Sequence, residues 1–430
     1  MVQKRTSFPP VFWIANSIEI LERFAYYGIY MGFSIYFSML GFKTEQLGII
    51  QGLFLAISYS IPIFSGTFAD RFGFKKLLII SYIAYLPSIF LLILTRSFTG
   101  IALTMLCIGF GAGIFKPLIS GTVRIVTDGT NRTLGFGVFY WMVNIGAFFG
   151  PLILGHFRAT SWQTAYIIAA SAIGVMFLVT ILFYKEPPRA IEGETLKKKF
   201  RDMRTALSDT KFALFLLILG VFFWLPLWTF YNLISKYVEF SLDGAALYLN
   251  VKSVLGHYVA DFLSRDVNGT RRILGEIISN TAFAIILFQV LVTWVFERFK
   301  PVGSFLFGLF VMASGFGFMC LAGIGNPAWI FLGILLFAFG EMISSPRIQE
   351  YIMWLAPKEK AGLYNGSNFL AIGLGGLVSG WVYTSRFYSF FESRGHTEYM
   401  WIVLGAQIIL GIIVISLFTR YAGHFKEQES

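Results

Sequence analysis

Runs of roughly 20 apolar residues, the length that crosses a bilayer as a helix, recur along this chain. They are separated by short polar stretches, and no strict two-residue alternation of a half-buried strand interrupts them. The predicted spans are 11–40, 47–69, 77–95, 99–122, 132–155, 162–184, 211–240, 276–297, 304–323, 327–355, 361–386 and 397–420. This pattern predicts an all-α membrane protein with twelve transmembrane helices in two six-helix bundles. The longest charged interruption, KEPPRAIEGETLKKKFRDMRTALSDTK at 185–211, reads as a linker. It divides the chain into an N-terminal bundle at 1–184, a cytoplasmic linker at 185–210 and a C-terminal bundle at 211–430. A second long interruption, 241–275, contains LYLNVKSVLGHYVADFLSRDV, whose periodicity predicts a short amphipathic helix at the outer membrane surface.

Composition agrees with a lipid environment. Hydrophobic residues make up 56% of the chain and charged residues 13%, where a soluble domain carries about 25% charged residues. The head MVQKRTSFPP has no small-residue cleavage site, so the first apolar run is expected to be a true span. The net charge of +11 could point to nucleic acid, but the basic residues gather in alternate loops and form no aromatic-interleaved face. That set holds Lys4, Arg5, Arg71, Lys75, Lys76, Arg124, Arg132, Lys185, Arg189, Lys197, Lys198, Lys199, Arg201, Arg204, Lys211, Arg298, Lys300, Lys358, Lys360, Arg420 and Lys426. The excess of positive charge on one side predicts a multi-pass protein of the cell membrane with both termini cytoplasmic. The bilayer is then its expected partner, nucleic acid is not, and the protein is expected to work as a monomer. Cys107 and Cys320 fall in apolar runs and read as small core residues, with no disulfide framework. No metal-ligand set, phosphate loop or serine elbow is present, so neither a metal nor an enzyme is expected.

Charges inside the spans are the candidate chemistry. EILERFAYYGIY at 19–30 places Glu19, Glu22 and Arg23 in the first half of the first span, with Tyr26 and Tyr30 continuing the Glu19–Arg23 stripe. GFGAGIFKPLISG places Lys116 near the far end of span 99–122, at a similar depth. Glu341 sits mid-span in 327–355, with Arg347 below it. A charge at the bilayer centre costs about 2.5–3.5 kcal/mol. Three acids and three bases would therefore face one another or water, and a shared polar cavity is expected. The alternative is that they staple helices together, with Glu341 held by Arg347. Carboxylates that exchange protons beside Arg23 and Lys116 would couple proton movement to a conformational change, with protons as the coupling ion and no other cofactor. GTFADRFGFKK at 66–76 puts Asp70 and Arg71 at a span end, where they could latch helices or merely anchor the loop, and ERFK at 297–300 echoes it.

The pattern G-x-x-x-D-R-x-G-x-K-K at 66–76, with two six-helix halves, resembles the major facilitator superfamily. Glu19-x-x-Glu22-Arg23-Phe24-x-Tyr26-Tyr27-Gly28 is similar to the first-helix signature of its proton-dependent oligopeptide transporters. GFGAGIFKPLISG, FYWMVNIGAFFGP (139–151) and GEMISSP (340–346) resemble that family's helices 4, 5 and 10. The resemblance implies that Glu19, Glu22 and Arg23 couple to protons. It implies that Lys116 pairs with them and helps hold a peptide carboxylate, that Asn144 and Glu341 help hold the amino group, and that Tyr27 and Tyr59 line the pocket. Tyr30 stands where such peptide binders carry an Arg, Trp228 where they carry a Glu four residues after Trp224, and Asn368 where they carry a Trp. The helix pair that many bacterial members insert between the halves is absent. The resemblance thus implies proton-coupled symport of short peptides or peptide-like solutes by alternating access. The departures leave open a carrier or exporter of a non-peptide amphipathic or aromatic solute, and a membrane sensor of the same fold without turnover.

Overall fold

The computed structural model describes residues 7–187, 196–355 and 361–421. The basic residues Lys4, Arg5, Arg189, Lys358, Lys360 and Lys426 and part of the expected linker, 188–195, lie outside the described residues. The architecture is helical, as the apolar runs predict. Helix α1 (Pro10–Met39) is followed by α2 (Thr44–Ser60), α3 (Pro62–Phe72), α4 (Phe74–Leu94), α5 (Phe98–Val126), α6 (Arg132–Arg158) and α7 (Trp162–Phe183). After them come α8 (Leu196–Leu207), α9 (Thr210–Leu219), a π-helical turn at Gly220–Trp224, and α10 (Leu225–Phe240). An extramembrane element follows, made of α11 (Gly244–Leu255), α12 (His257–Phe262) and the antiparallel strands β1 (Ser264–Val267) and β2 (Thr270–Ile273). The chain continues through α13 (Gly275–Ile278), α14 (Ala282–Phe296), α15 (Pro301–Ile324) and α16 (Trp329–Leu355). It ends with α17 (Ala361–Val378), a π-helical stretch at Ser379–Tyr388, α18 (Ser389–Glu392) and α19 (Tyr399–Tyr421).

Local chemistry sets many of these boundaries. Pro10, Pro62 and Pro301 open helices at their first turn, where a missing N–H costs nothing. Ser97, Ser161, Asp209 and Asp243 cap helices by accepting backbone N–H bonds. Among the described residues, ten helices are long and apolar enough to cross a membrane, against the twelve expected. The 30-residue α1 is of spanning length, but its glutamates, arginine and tyrosines make it more polar. Helix α17 continues through its π stretch into α18 and is likewise more polar. Helix α8 lies within the expected linker, and its 12 residues are too short to cross a bilayer.

The chain forms two compact units. One comprises Met1–Gln46 with Leu53–Leu196, the other Leu47–Gly52 with Lys197–Ser430. In the first, glycines of α6 let α1 come close: a Cβ at Gly146 would collide with the Ile20 carbonyl and the Arg23 side chain, and one at Gly150 with the Phe24 carbonyl. In the second, Phe230 stacks on Phe337 at 3.7 Å between ring centres, and Phe316 on Trp401 at 5.9 Å. Two expectations are corrected. Cys320 is buried, but Cys107 lies on an exposed face of α5, because an apolar run tells a lipid-facing position from a core one only by its face. The 241–275 segment holds two helices and a hairpin, where one helix was expected. Asn268 (φ 54°) and Gly269 (φ 81°) both adopt the left-handed conformation of a tight hairpin turn.

Candidate functional site

The first unit gathers its charges on one face of α1. Glu19, Glu22 and Arg23 are buried, and the four-residue spacing brings Arg23 Nε to 2.7 Å from Glu19 Oε1. The same nitrogen lies 3.2 Å from Glu22 Oε2. One guanidinium thus serves two carboxylates. Glu19 Oε2 and both oxygens of Glu22 are buried and accept no hydrogen bond. The close α1–α6 packing at Gly146 fixes Arg23 at its Cβ and so sets the height of this cluster.

Lys116 was expected to pair with these acids, and the structure places it elsewhere. Its ammonium donates to Ser58 Oγ at 2.6 Å and to the Ser58 carbonyl at 3.3 Å. It stands 3.6 Å from the centre of the Tyr59 ring and 5.0 Å from that of Tyr26, a cation–π arrangement. Ser58 was not singled out in the sequence, since a serine in an apolar run carries no periodic signal. Tyr30, in the place of the family Arg, is buried in an aromatic stack, 5.9 Å from Tyr26 and 5.4 Å from Phe54. Tyr27 packs edge-on against Tyr26 at 5.2 Å. Asn144 is buried and donates to the Tyr140 carbonyl of its own helix.

The second unit centres on Glu341 of α16. Tyr231 of α10 donates to Glu341 Oε2 at 2.7 Å and lies 2.9 Å from Thr281 Oγ1, the residue preceding α14. Among the described residues this is the carboxylate's one hydrogen bond, and it makes no ion pair. The expected alternative, pairing with Arg347, is absent. Arg347 instead bonds Glu350 at 2.6 Å and the Phe296 carbonyl at 2.6 Å, tying α16 to the end of α14. Aromatic rings surround the acid's partner: Trp228 lies 6.1 Å from Tyr231, and Phe337 meets Tyr231 edge-on at 6.1 Å. Trp224, the last residue of the π-helical turn, donates to Asn368 Oδ1 at 3.3 Å, so Asn368, which departs from the family pattern, is tied to the tryptophan that keeps it. Tyr231 and Thr281 were missed in the sequence, because a tyrosine in an aromatic-rich span stands out only when its partner is known.

At the end of α3, Asp70 and Arg71 are exposed, and Arg71 lies 5.3 Å from the Phe72 ring centre. The α4 N-terminus beside them is held by Glu186, which accepts from the backbone N–H of Phe74 at 2.6 Å and of Lys75 at 2.9 Å. A carboxylate at a helix N-terminus is favoured by the helix dipole. No group of His, Cys, Asp and Glu able to hold a metal occurs among the described residues.

Buried acids and bases on long helices, set in two helical units with ten helices apolar enough to cross a membrane among the described residues, are the features expected of a polytopic membrane transporter. The chain belongs to the Major Facilitator Superfamily, which it matches over residues 17–380. It is 24% identical over 395 residues to a Na(+), Li(+), K(+)/H(+) antiporter of Planococcus maritimus, covering 84% of this chain and 86% of that protein. It is 26% identical over 157 residues to the quinolone resistance protein NorA of Staphylococcus aureus, covering 36% of this chain and 40% of that protein. Among solved structures, the nucleoside transporter NupG matches with a TM-score of 0.76 at 13% identity, covering 95% of this chain and 99% of that one. A POT family transporter in complex with 5-aminolevulinic acid matches with a TM-score of 0.68 at 20% identity, covering 95% and 96%. The protein is a multi-pass transporter of this superfamily and not an enzyme.

Proposed function

We propose that this protein is a proton-coupled secondary transporter that works by alternating access and carries a small ammonium-bearing solute with an apolar body. Short peptides and peptide-like solutes are the first class to test. The observation that carries the reading is the sharing of Arg23 by Glu19 and Glu22, which leaves Glu19 Oε2 and Glu22 Oε1 buried with neither a hydrogen bond nor an ion pair. A buried carboxylate is stable in an apolar medium only when paired or protonated, and with a single guanidinium between two acids a proton is the simplest second partner. Lys116, parked on Ser58 and the Tyr59 ring, is the cation available for a solute carboxylate or for Glu22. Glu341 carries one neutral donor and no cation, which suits an ammonium group, and Trp228 and Tyr231 beside it offer ring faces to an apolar or cationic body. Protons serve as the coupling ion, and the proposed setting is the cell membrane with both termini cytoplasmic.

The test uses purified protein in liposomes. Glu22→Gln mimics a permanently protonated acid, so uptake driven by a pH gradient should vanish while solute exchange at equal pH persists. Undiminished gradient-driven uptake would refute the role of Glu22.

A second reading is export of an apolar organic cation in exchange for protons. Tyr30 and Trp228 support it, because they remove the fixed Arg and the Glu that a general peptide pocket uses. The names of the two sequence relatives, an antiporter and a quinolone resistance protein, point the same way. The direction of proton flow on adding solute separates the two readings.

A further inference from the structure

The extramembrane element at 244–273 has apolar side chains on both of its faces. Leu247, Tyr248, Val251 and Ala260 point inward and are buried, as are Ile273 and Leu274. Val254, Leu255, Tyr258, Val259 and Phe262 form a second apolar edge along α11 and α12, with Val254 80% and Tyr258 90% exposed. An outward apolar edge of this size needs an apolar medium. Three observations say which one.

The element is short and held at the membrane at both ends. Helix α11 is capped by Asp243, three residues after α10 ends at Phe240. The hairpin is clasped to α10 through Glu239, which pairs with Arg265 at 2.8 Å and accepts from the Gly275 N–H at 2.9 Å. The acid on α12 does not oppose burial at a lipid surface. Asp261 accepts from the Tyr248 hydroxyl at 2.8 Å and is flanked by His257 at 3.2 Å and Arg271 at 4.0 Å. The hairpin tip is the opposite in character: Asp266, Asn268, Gly269, Thr270 and Arg271 are exposed and polar.

We propose that this element is a membrane-surface anchor. The Val254–Tyr258–Phe262 edge sits at the boundary between lipid headgroups and acyl chains, and the hairpin tip stands in water. Tyr258 and Phe262 are the ring types that favour that boundary, and exposed Lys252 flanks the edge where a lipid phosphate can meet it. The partner is the phospholipid bilayer itself, and the Glu239 clasp transmits the anchor to α10, the helix that carries Trp228 and Tyr231.

Depth measurement on the full-length protein tests this. In a Cys107→Ser, Cys320→Ala background, single cysteines at Tyr258→Cys, Val254→Cys and Thr270→Cys are spin-labelled after reconstitution into phosphatidylcholine liposomes. Oxygen concentrates in the acyl region and a nickel chelate stays in water. Labels at 258 and 254 should collide several-fold more with oxygen than with the chelate, and the label at 270 should show the reverse. Chelate-dominated collisions at both 254 and 258 would overturn the proposal. So would protection of both positions from both reagents, which would mean that protein, such as a second copy of the chain, covers the edge.

Discussion

At the scale of single residues, the account turns on which acids have partners. Glu341 has one neutral donor and no cation, so Glu341→Gln should weaken binding of ammonium-bearing solutes and leave neutral analogues of the same shape unaffected, read by thermal shift in detergent. Equal loss for both would show that the substitution damages the pocket and that the charge is not what matters. The lysine site makes a second prediction. Tyr59→Leu removes the ring that Lys116 faces at 3.6 Å and should cost about 0.5–2 kcal/mol, read as a lower melting temperature; an unchanged melting temperature would contradict the cation–π contact. Simple dipeptides should bind weakly, because the charge-assisted contact missing at Tyr30 is worth about 1.5–3 kcal/mol, roughly ten- to a hundredfold in affinity. Dialanine binding as tight as that of aromatic-bodied amines would contradict this. The charged members of these sites were legible in the sequence, since a charge in an apolar run announces itself. Their neutral partners Ser58, Tyr231 and Thr281 were not, because hydroxyls blend into membrane helices and acquire meaning only through contacts distant in the chain.

At the scale of elements, glycine places chemistry. Gly146 has no room for a Cβ against Ile20 and Arg23, so Gly146→Val should push α6 away from α1 and cost about 1–3 kcal/mol through overpacking. The variant should also lose gradient-driven transport, because the Glu19–Arg23–Glu22 cluster rides on the same turn. Wild-type melting and transport would show that the helices part without consequence. The sequence marked GAFFGP as a signature but could not say which helix it meets. The π-helical turn that ends at Trp224 was equally silent, since nothing in GVFFW distinguishes it from an α-helical turn. The hairpin at 264–273 is a different case: Asn-Gly between RDV and TRRI is a strong turn signal, masked by the helical periodicity on its N-terminal side.

For the whole molecule, repeated apolar runs made the helical fold readable. The inclusion of Leu47–Gly52 in the second unit was not, because it depends on which neighbours a helix meets and not on its own hydropathy. Cargo is the least legible property. It depends on a few substitutions in a pocket, while the fold is shared by transporters whose names speak of nucleosides, 5-aminolevulinic acid and cations. The central claim is the coupling of proton movement to solute movement through the α1 acids. Its most direct measurement loads liposomes bearing the purified protein with a pH-sensitive dye, clamps the membrane potential and adds solute with no initial pH gradient. The account predicts a solute-dependent change in internal pH for the wild-type protein, acid for symport and alkaline for exchange, and none for Glu22→Gln. Solute movement by the wild-type protein with no change in internal pH would contradict it.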